Sequence, residues 1–317
     1  MLETFNAKRR EVTAAIAEVV TLGTRIGARS TAAKLEEDVI KKLEQDRFNL
    51  VVVGEFNHGK TTFVNALVGR QLLPAGVTPT TAVIHHLEYA EQESASVVTE
   101  SGERRQLEME DVRAYAVGGG TDGSAVKYLE VFTPSDILKQ RIVLVDTPGV
   151  NDLSHQRADI TYSYIPKSDA VLFLLDAGQP LKESERVFLQ ERLLAASKNK
   201  ILFVVTKRDI WDDDEEKEAL AYIRKEVDKL VPNAPVFAVS AERALAERPN
   251  SGMPELLTHL AQFLAEERGR ILLGNALTHA LSVGELLGKG LDAKRRAAEM
   301  TTEELTRRLS TDRKSVV

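Results

Sequence analysis

Residues 54–61 read Gly54-Glu55-Phe56-Asn57-His58-Gly59-Lys60-Thr61, the pattern G-x-x-x-x-G-K-[ST]. A loop of this kind wraps an anion, and it does so between a strand and a helix. Both flanks are present: the apolar run Leu50-Val51-Val52-Val53 precedes it, and a helix-like run from Thr62 to Gly69 follows. The loop's N–H groups can point at phosphate oxygens, and the positive end of the helix adds to the attraction. Gly54, Glu55, Asn57, His58, Gly59, Lys60, Thr61 and Thr62 are therefore the expected phosphate contacts. Lys60 supplies charge to the β- and γ-phosphates, and the Thr61 hydroxyl can ligate Mg²⁺.

Three further motifs narrow the nucleotide to a guanine nucleotide, GTP or GDP. Asp146-Thr147-Pro148-Gly149 follows the strand-like run Ile142-Val143-Leu144-Val145. A carboxylate at a strand end can hold Mg²⁺ through a bound water. Gly149 lets the backbone approach the γ-phosphate closely. Thr206-Lys207-Arg208-Asp209 ends the run Ile201-Leu202-Phe203-Val204-Val205. The Asp209 carboxylate matches the N1–H and N2–H₂ donors of guanine, which adenine lacks, and a site built on such a pair rejects the wrong base strongly. The Lys207 stem can lie along the base. Ser240-Ala241 follows Val236-Phe237-Ala238-Val239, where the Ala241 N–H can reach guanine O6.

In this order the four elements resemble the G1, G3, G4 and G5 motifs of the P-loop GTPase superfamily. The G2 element is then a Thr between G1 and G3, with Thr80 and Thr81 the candidates and Thr78 a third. Such a Thr would close over Mg²⁺ and the γ-phosphate. With Asn57, Lys60 and Gly149, Thr80 and Thr81 make the expected catalytic set; Thr61, Thr80, Thr81 and Asp146 are the expected metal ligands. The stretches 54–69, 73–84, 142–153, 176–185 and 206–209 more closely resemble bacterial dynamin-like proteins, above all Leu73-Pro74-Ala75-Gly76-Val77-Thr78-Pro79-Thr80-Thr81-Ala82 and Asp146-Thr147-Pro148-Gly149-Val150-Asn151-Asp152. The resemblance implies a GTPase that dimerises across its nucleotide face and remodels membranes. It also implies a cytoplasmic location, peripheral at the inner face of a membrane, with lipid contacted through a region absent from this chain.

The chain also departs from related patterns. Phe56-Asn57 stands where eukaryotic dynamins place Gln-Ser, so the role of that Gln does not carry over. Asn57 instead resembles the Asn with which Era-like GTPases seat K⁺ or Na⁺. Val150 stands where Ras-like proteins carry a water-positioning Gln. A Val cannot orient water, so intrinsic hydrolysis is expected to be slow unless another element supplies that function.

From residue 49 to 268, strand-like and helix-like runs alternate, which predicts an α/β domain with a mostly parallel sheet and helices on both faces. The expected division is helices over 1–46, a GTPase domain over 47–268, and a helix over 269–317. Leu2, Phe5, Val12, Ile16, Val19 and Val20 form one apolar stripe, resumed by Leu35, Val39, Ile40 and Leu43. Leu272, Leu273, Leu277, Leu281, Leu286, Leu287 and Leu291 form another. Each stripe needs cover, so the two are expected to pack as a neck-like bundle. Bacterial dynamin-like proteins are longer, so the chain reads as truncated or as a short relative.

Between G2 and G3 a hairpin is expected around Ser101-Gly102, then a short helix and a Gly118-Gly119-Gly120 loop. His85 and His86 fall on an expected strand, one facing in and one out. Asp152 is expected in a switch region, and the acidic run Asp212–Glu216 suits a helix start.

The net charge of −6 gives no general attraction to nucleic acid, and no nucleic-acid partner is expected. The absence of Cys excludes disulfides and thiolate metal sites. No uninterrupted apolar run reaches the roughly 18–20 residues of a membrane span. The competing function is an Era-like regulatory switch with a protein or RNA partner; the flanking helices favour the dynamin-like reading. If Asp209 reads guanine, calorimetry will show GTP and GDP bound far more tightly than ATP, and Asp209→Asn will shift preference toward xanthine nucleotides. Equal affinities for ATP and GTP would refute that assignment.

Overall fold

The computed structural model describes residues 2–75, 83–118, 126–139, 141–150, 161–162, 164–194 and 200–314. They form two compact units, Met1–Asp46 with Gly269–Val317, and Arg47–Arg268. In chain order the elements are helices α1 (Leu2–Arg25), α2 (Arg29–Leu35) and α3 (Lys41–Glu44), then strand β1 (Phe48–Gly54) and helix α4 (Lys60–Val68). Strands β2 (Ile84–Tyr89), β3 (Ser94–Thr99) and β4 (Arg104–Leu107), helix α5 (Val112–Gly118), and strands β5 (Val126–Thr133), β6 (Ile142–Asp146) and β7 (Ala170–Asp176) follow. The remainder is α6 (Glu183–Phe188), β8 (Ile201–Thr206), α7 (Asp213–Leu230), β9 (Val236–Ala238), α8 (Ala241–Leu245) and α9 (Met253–Lys314).

The larger unit is built on one sheet, ordered β4-β3-β5-β2-β6-β1-β7-β8-β9 among the described residues. Pairing is parallel from β6 through β1, β7 and β8 to β9, and between β5 and β2. It is antiparallel where β2 meets β6 and around β3. The sheet is thus mostly parallel, as the alternation predicts. Its central strands read as continuous apolar runs because both faces are covered; Leu50, Val51, Val52 and Val53 are fully buried. Phe173, Phe188 and Phe203 pack together in the core.

The expected hairpin forms between β3 and β4, turning on Gly102 with φ +84°. The short helix expected after it is α5, whereas Gly119 and Gly120 lie outside the described residues. The acidic run does start a helix: Asp212 caps α7, accepting from the N–H groups of Asp214 and Glu215.

The two histidines depart from expectation. Both are buried, because β2 is an interior strand between β5 and β6 and both of its faces are covered where the two histidines lie. His86 stacks on Tyr128, with ring centroids 4.3 Å apart, and its Nε2 is hydrogen-bonded to the Tyr164 hydroxyl at 2.6 Å.

The smaller unit has its own apolar core. Ile16 of α1, Leu35, Val39, Ile40 and Leu43 enclose Leu272, Ala276 and Ala280 of α9. Phe5, Val12, Val19 and Val20 pack at its margin. Gly269 admits the Phe5 ring: a Cβ there would lie 2.9 Å from it. The α9 leucines divide between two faces. Leu272 joins Ala276 and Ala280 along the i, i+4 seam, whereas Leu277 and Leu281, one position beyond Ala276 and Ala280, turn away from it and are exposed, as are Leu286 and Leu291. By length and composition alone, the stretch Met253–Glu299 also suffices to cross a membrane, although it contains no uninterrupted apolar run of that length. A core helix of a globular protein meets the same criterion.

Burial pushes the His86 imidazole down to about 3. Neutral in the fold, it takes up a proton below about 6.5 only in the unfolded chain. Unfolding then binds the extra proton, so stability falls as pH drops from about 6.5 toward 3, by on the order of a few kcal/mol. His86→Phe, which keeps the ring stack, should flatten that limb in denaturant titrations across this range. Parallel curves for the two proteins would remove His86 as the cause.

Candidate functional site

The phosphate-loop residues sit where β1 ends against β7. Gly54 is needed there: a Cβ would lie 3.0 Å from the Leu174 carbonyl oxygen and 3.1 Å from Leu174 Cβ. The loop then turns twice through left-handed backbone, at Asn57 (φ +64°) and at Gly59 (φ +71°), which caps α4. Asn57 is exposed and Thr62 half-buried. The Lys60 ammonium donates to the Glu55 carbonyl at 2.7 Å, inside the loop itself. The Thr61 hydroxyl donates to Asp146 Oδ2 at 2.9 Å.

Asp146 ends β6, in parallel register with Val52. It is fully buried, and its Oδ1 has no hydrogen-bond partner among the described residues. The next residues are latched to the loop. Thr147 Oγ1 donates to the Val52 carbonyl at 2.8 Å, and the Val150 N–H donates to that of Gly54 at 3.2 Å. Gly149 passes so close that a Cβ would lie 3.0 Å from the backbone of Phe56. Val150 turns into the core, 1% exposed.

On the other side of β1, the Thr206 hydroxyl donates to the carbonyls of His58, at 2.9 Å, and Leu175, at 3.1 Å. Lys207 takes a left-handed backbone (φ +60°) and pairs with Asp176. Burial raises the Asp176 carboxyl, but the Lys207 ammonium and the Gly178 N–H outweigh it and hold the group below its ordinary range. Asp209 is exposed, and Trp211 packs against the core. The Arg208 N–H donates to the Val239 carbonyl at 3.1 Å, joining this segment to Ser240 and Ala241. Ser240 is buried and caps α8, its hydroxyl accepting from the Arg243 N–H at 3.2 Å.

One edge of the sheet therefore gathers Gly54, Glu55, Asn57, His58, Gly59, Lys60, Thr61, Thr62, Asp146, Gly149, Thr206, Lys207, Asp209, Ser240 and Ala241. Thr78, Thr80, Thr81, Asn151 and Asp152 lie outside the described residues.

Three residues outside the sequence-derived set touch it: His85, Asp176 and Glu185. His85 Nδ1 lies 3.6 Å from Asp146 Oδ2, both side chains fully buried. Asp176, at the end of β7, has a signal in sequence, a charged residue closing an apolar strand. Glu185 ends the stretch 176–185, but nothing in that stretch ties it to the loop, which it meets only through the tertiary fold. Its Oε1 lies 3.3 Å from His58 Nδ1. His58 itself is buried, with Nδ1 3.2 Å from the Leu174 carbonyl. Burial lowers His58 to about 4 and raises Glu185 to about 7.

The chain is similar to known proteins in sequence and in fold. A family model described as the Dynamin family matches residues 50–208. A protein of Caldicellulosiruptor sp. (strain Rt8B.4), described as an uncharacterized protein in the xynA 3′ region, is 33% identical over 267 residues, covering 80% of this chain and 65% of its own length. A probable transmembrane GTPase, FZO-like and chloroplastic, of Arabidopsis thaliana is 36% identical over 211 residues, covering 66% of this chain and 20% of its own. The chain thus spans less than two thirds of either relative. A solved structure of an oligomerised bacterial dynamin pair, described as a mechanism for long-range sensing and tethering of membranes, matches with TM-score 0.57 at 20% identity, covering 96% of this chain and 50% of that one. The fold is that of a dynamin-type GTPase domain with flanking helices, and the chain belongs to the dynamin family.

Proposed function

We propose that this chain binds and hydrolyses GTP, and that hydrolysis is completed by a second copy meeting it across the nucleotide face. The observation that carries the reading is the hydrogen-bonded convergence of three segments. Thr61 bonds to Asp146, Val150 to Gly54, and Thr206 to the His58 carbonyl, so the phosphate, metal and base motifs lie at one sheet edge. Open α/β sheets bind ligands at that edge.

The residues fit Mg²⁺. Asp146 Oδ1 is a buried oxygen without a partner among the described residues, beside a Thr hydroxyl, and hard oxygen donors suit this ion. Thr61 and Asp146 would hold it, with Thr80 or Thr81. Bound there, it would supply positive charge to the phosphates.

The chain's own groups do the rest by positioning and charge. Lys60 exchanges the Glu55 carbonyl for phosphate oxygens. The loop N–H groups and the α4 N-terminus receive the phosphates. Gly149 offers its N–H to the γ-phosphate and, with the carbonyl of Thr80 or Thr81, holds the attacking water. Asp209 and Ala241 read the guanine edge, and Lys207 lies along the base.

Val150 is spent on the core, so the group that polarises water has to come from elsewhere. Asn57, exposed on a strained left-handed backbone, is the position for K⁺ or Na⁺ and for contact with the second copy. Coupling of that dimer to the bundle helices, and membrane remodelling at the inner face of a membrane, complete this reading, and membership of the dynamin family supports it.

Lys60→Ala should abolish nucleotide binding or cut GTP turnover by at least roughly a hundredfold while circular dichroism stays native, since its ammonium serves the ligand and not the apolar core. Wild-type turnover in this variant would refute the site. Specific GTPase activity should rise with protein concentration, and more in KCl than in NaCl. A fast rate, flat against both variables, would mean that one copy holds a complete site.

A further inference from the structure

Beneath the phosphate loop, three ionisable side chains meet: Glu55 and His58 belong to the loop whose N–H groups face the phosphates, and Glu185 comes from α6. One donor atom from each of Glu55, His58 and Glu185 lies within 4.8 Å of the other two. His58 Nε2 lies 3.9 Å from Glu55 Oε2, and His58 Nδ1 lies 3.3 Å from Glu185 Oε1. The side chains of His58 and Glu185 are 2% and 0% exposed. His58 Nε2 and Glu185 Oε1 both lack a hydrogen-bond partner among the described residues. A buried polar atom left in that condition is destabilising, and here two such atoms are gathered in one place.

We propose that Glu55, His58 and Glu185 form a binding site for a first-row divalent cation, of which Zn²⁺ fits the donors best. Two carboxylates balance the charge of one such ion. An imidazole nitrogen among them selects against Mg²⁺ and Ca²⁺, which take all-oxygen shells, and suits Zn²⁺. A tetrahedral ion with bonds of about 2.1 Å sets its ligand atoms roughly 3.4 Å apart. With Nδ1 turned to the Leu174 carbonyl, Nε2 is the ring's ligand atom, 3.9 Å from Glu55 Oε2, and the three donor atoms lie within 4.8 Å of one another.

Their second contacts are those of metal ligands. The Leu174 carbonyl, 3.2 Å from His58 Nδ1, orients the ring, and Glu185 Oε2 accepts from the Lys182 N–H at 2.7 Å. The competing cation is the Lys182 ammonium, 3.8 Å from Glu55 Oε2, whose side chain is 38% exposed and can swing to water.

The ion would act as a tie. Glu55 and His58 bracket the variable positions of the loop, and Glu185 belongs to α6. A cation joining them would hold the loop's shape from below, independently of nucleotide and of the Thr61–Asp146 pair.

The test uses the full chain, stripped by chelation and kept nucleotide-free in excess Mg²⁺. Calorimetry with Zn²⁺ should show one saturable site, and Co²⁺ should give the intense visible bands of a tetrahedral nitrogen–oxygen site. Zn²⁺ should also raise the Tm. His58→Gln and Glu185→Gln should each weaken Zn²⁺ by at least roughly tenfold, the cost of losing even an outer-shell partner, whereas Asp146→Asn should leave it unchanged. The proposal is overturned if wild-type protein shows no saturable Zn²⁺ and no tetrahedral Co²⁺ spectrum, or if Zn²⁺ binding is lost with Asp146→Asn and kept in the His58 and Glu185 variants. Neither result depends on GTP turnover, so this site and the proposed hydrolysis stand or fall separately.

Discussion

Parallel pairing of β1 with a strand on each side carries the candidate site. In that register Val52 stands beside Asp146, and Gly54 beside Leu174. Three strands then end at one edge, and each releases its chain into a loop at a fixed offset from the others. The phosphate loop is not shaped by its own residues alone. It is held by the Val150 N–H from one side and the Thr206 hydroxyl from the other. A slip of one residue in the β1–β6 ladder would reverse the faces of β1 relative to β6 and separate Thr61 from Asp146.

That dependence explains what could be read from the chain and what could not. Motifs carried by a few adjacent residues, such as Gly54–Thr61 and Thr206–Asp209, are legible because local backbone chemistry dictates them. So is the alternation that makes a mostly parallel sheet. Glu185 and His85 were not legible, since their neighbours are 127 and 61 residues away in the chain (His58 and Asp146) and no spacing rule connects them. The inward and outward alternation assumed for His85 and His86 failed for a related reason. Period-two patterning reports one wet face, and an interior strand of a covered sheet has none.

The bundle unit shows the same limit on a helix. Its apolar residues mark which segments want cover, yet the seam is set by the small side chains Ala276 and Ala280 as much as by Leu272. Counting leucines overstates the contact, because a leucine one position off the seam projects elsewhere: Leu281 is 68% exposed.

Val150 has an evolutionary consequence. Its side chain is part of the hydrophobic core, among Val53, Val145 and Phe173. Exchanging it for Gln would bury an amide at a cost of about 1–3 kcal/mol without delivering that amide to the nucleotide edge. A single point mutation at this codon therefore cannot turn the domain into a self-sufficient clock. On the proposed reading, a lineage carrying this packing takes its water-positioning group from another segment or another molecule, and its rate of turnover is open to control by whatever brings that group in.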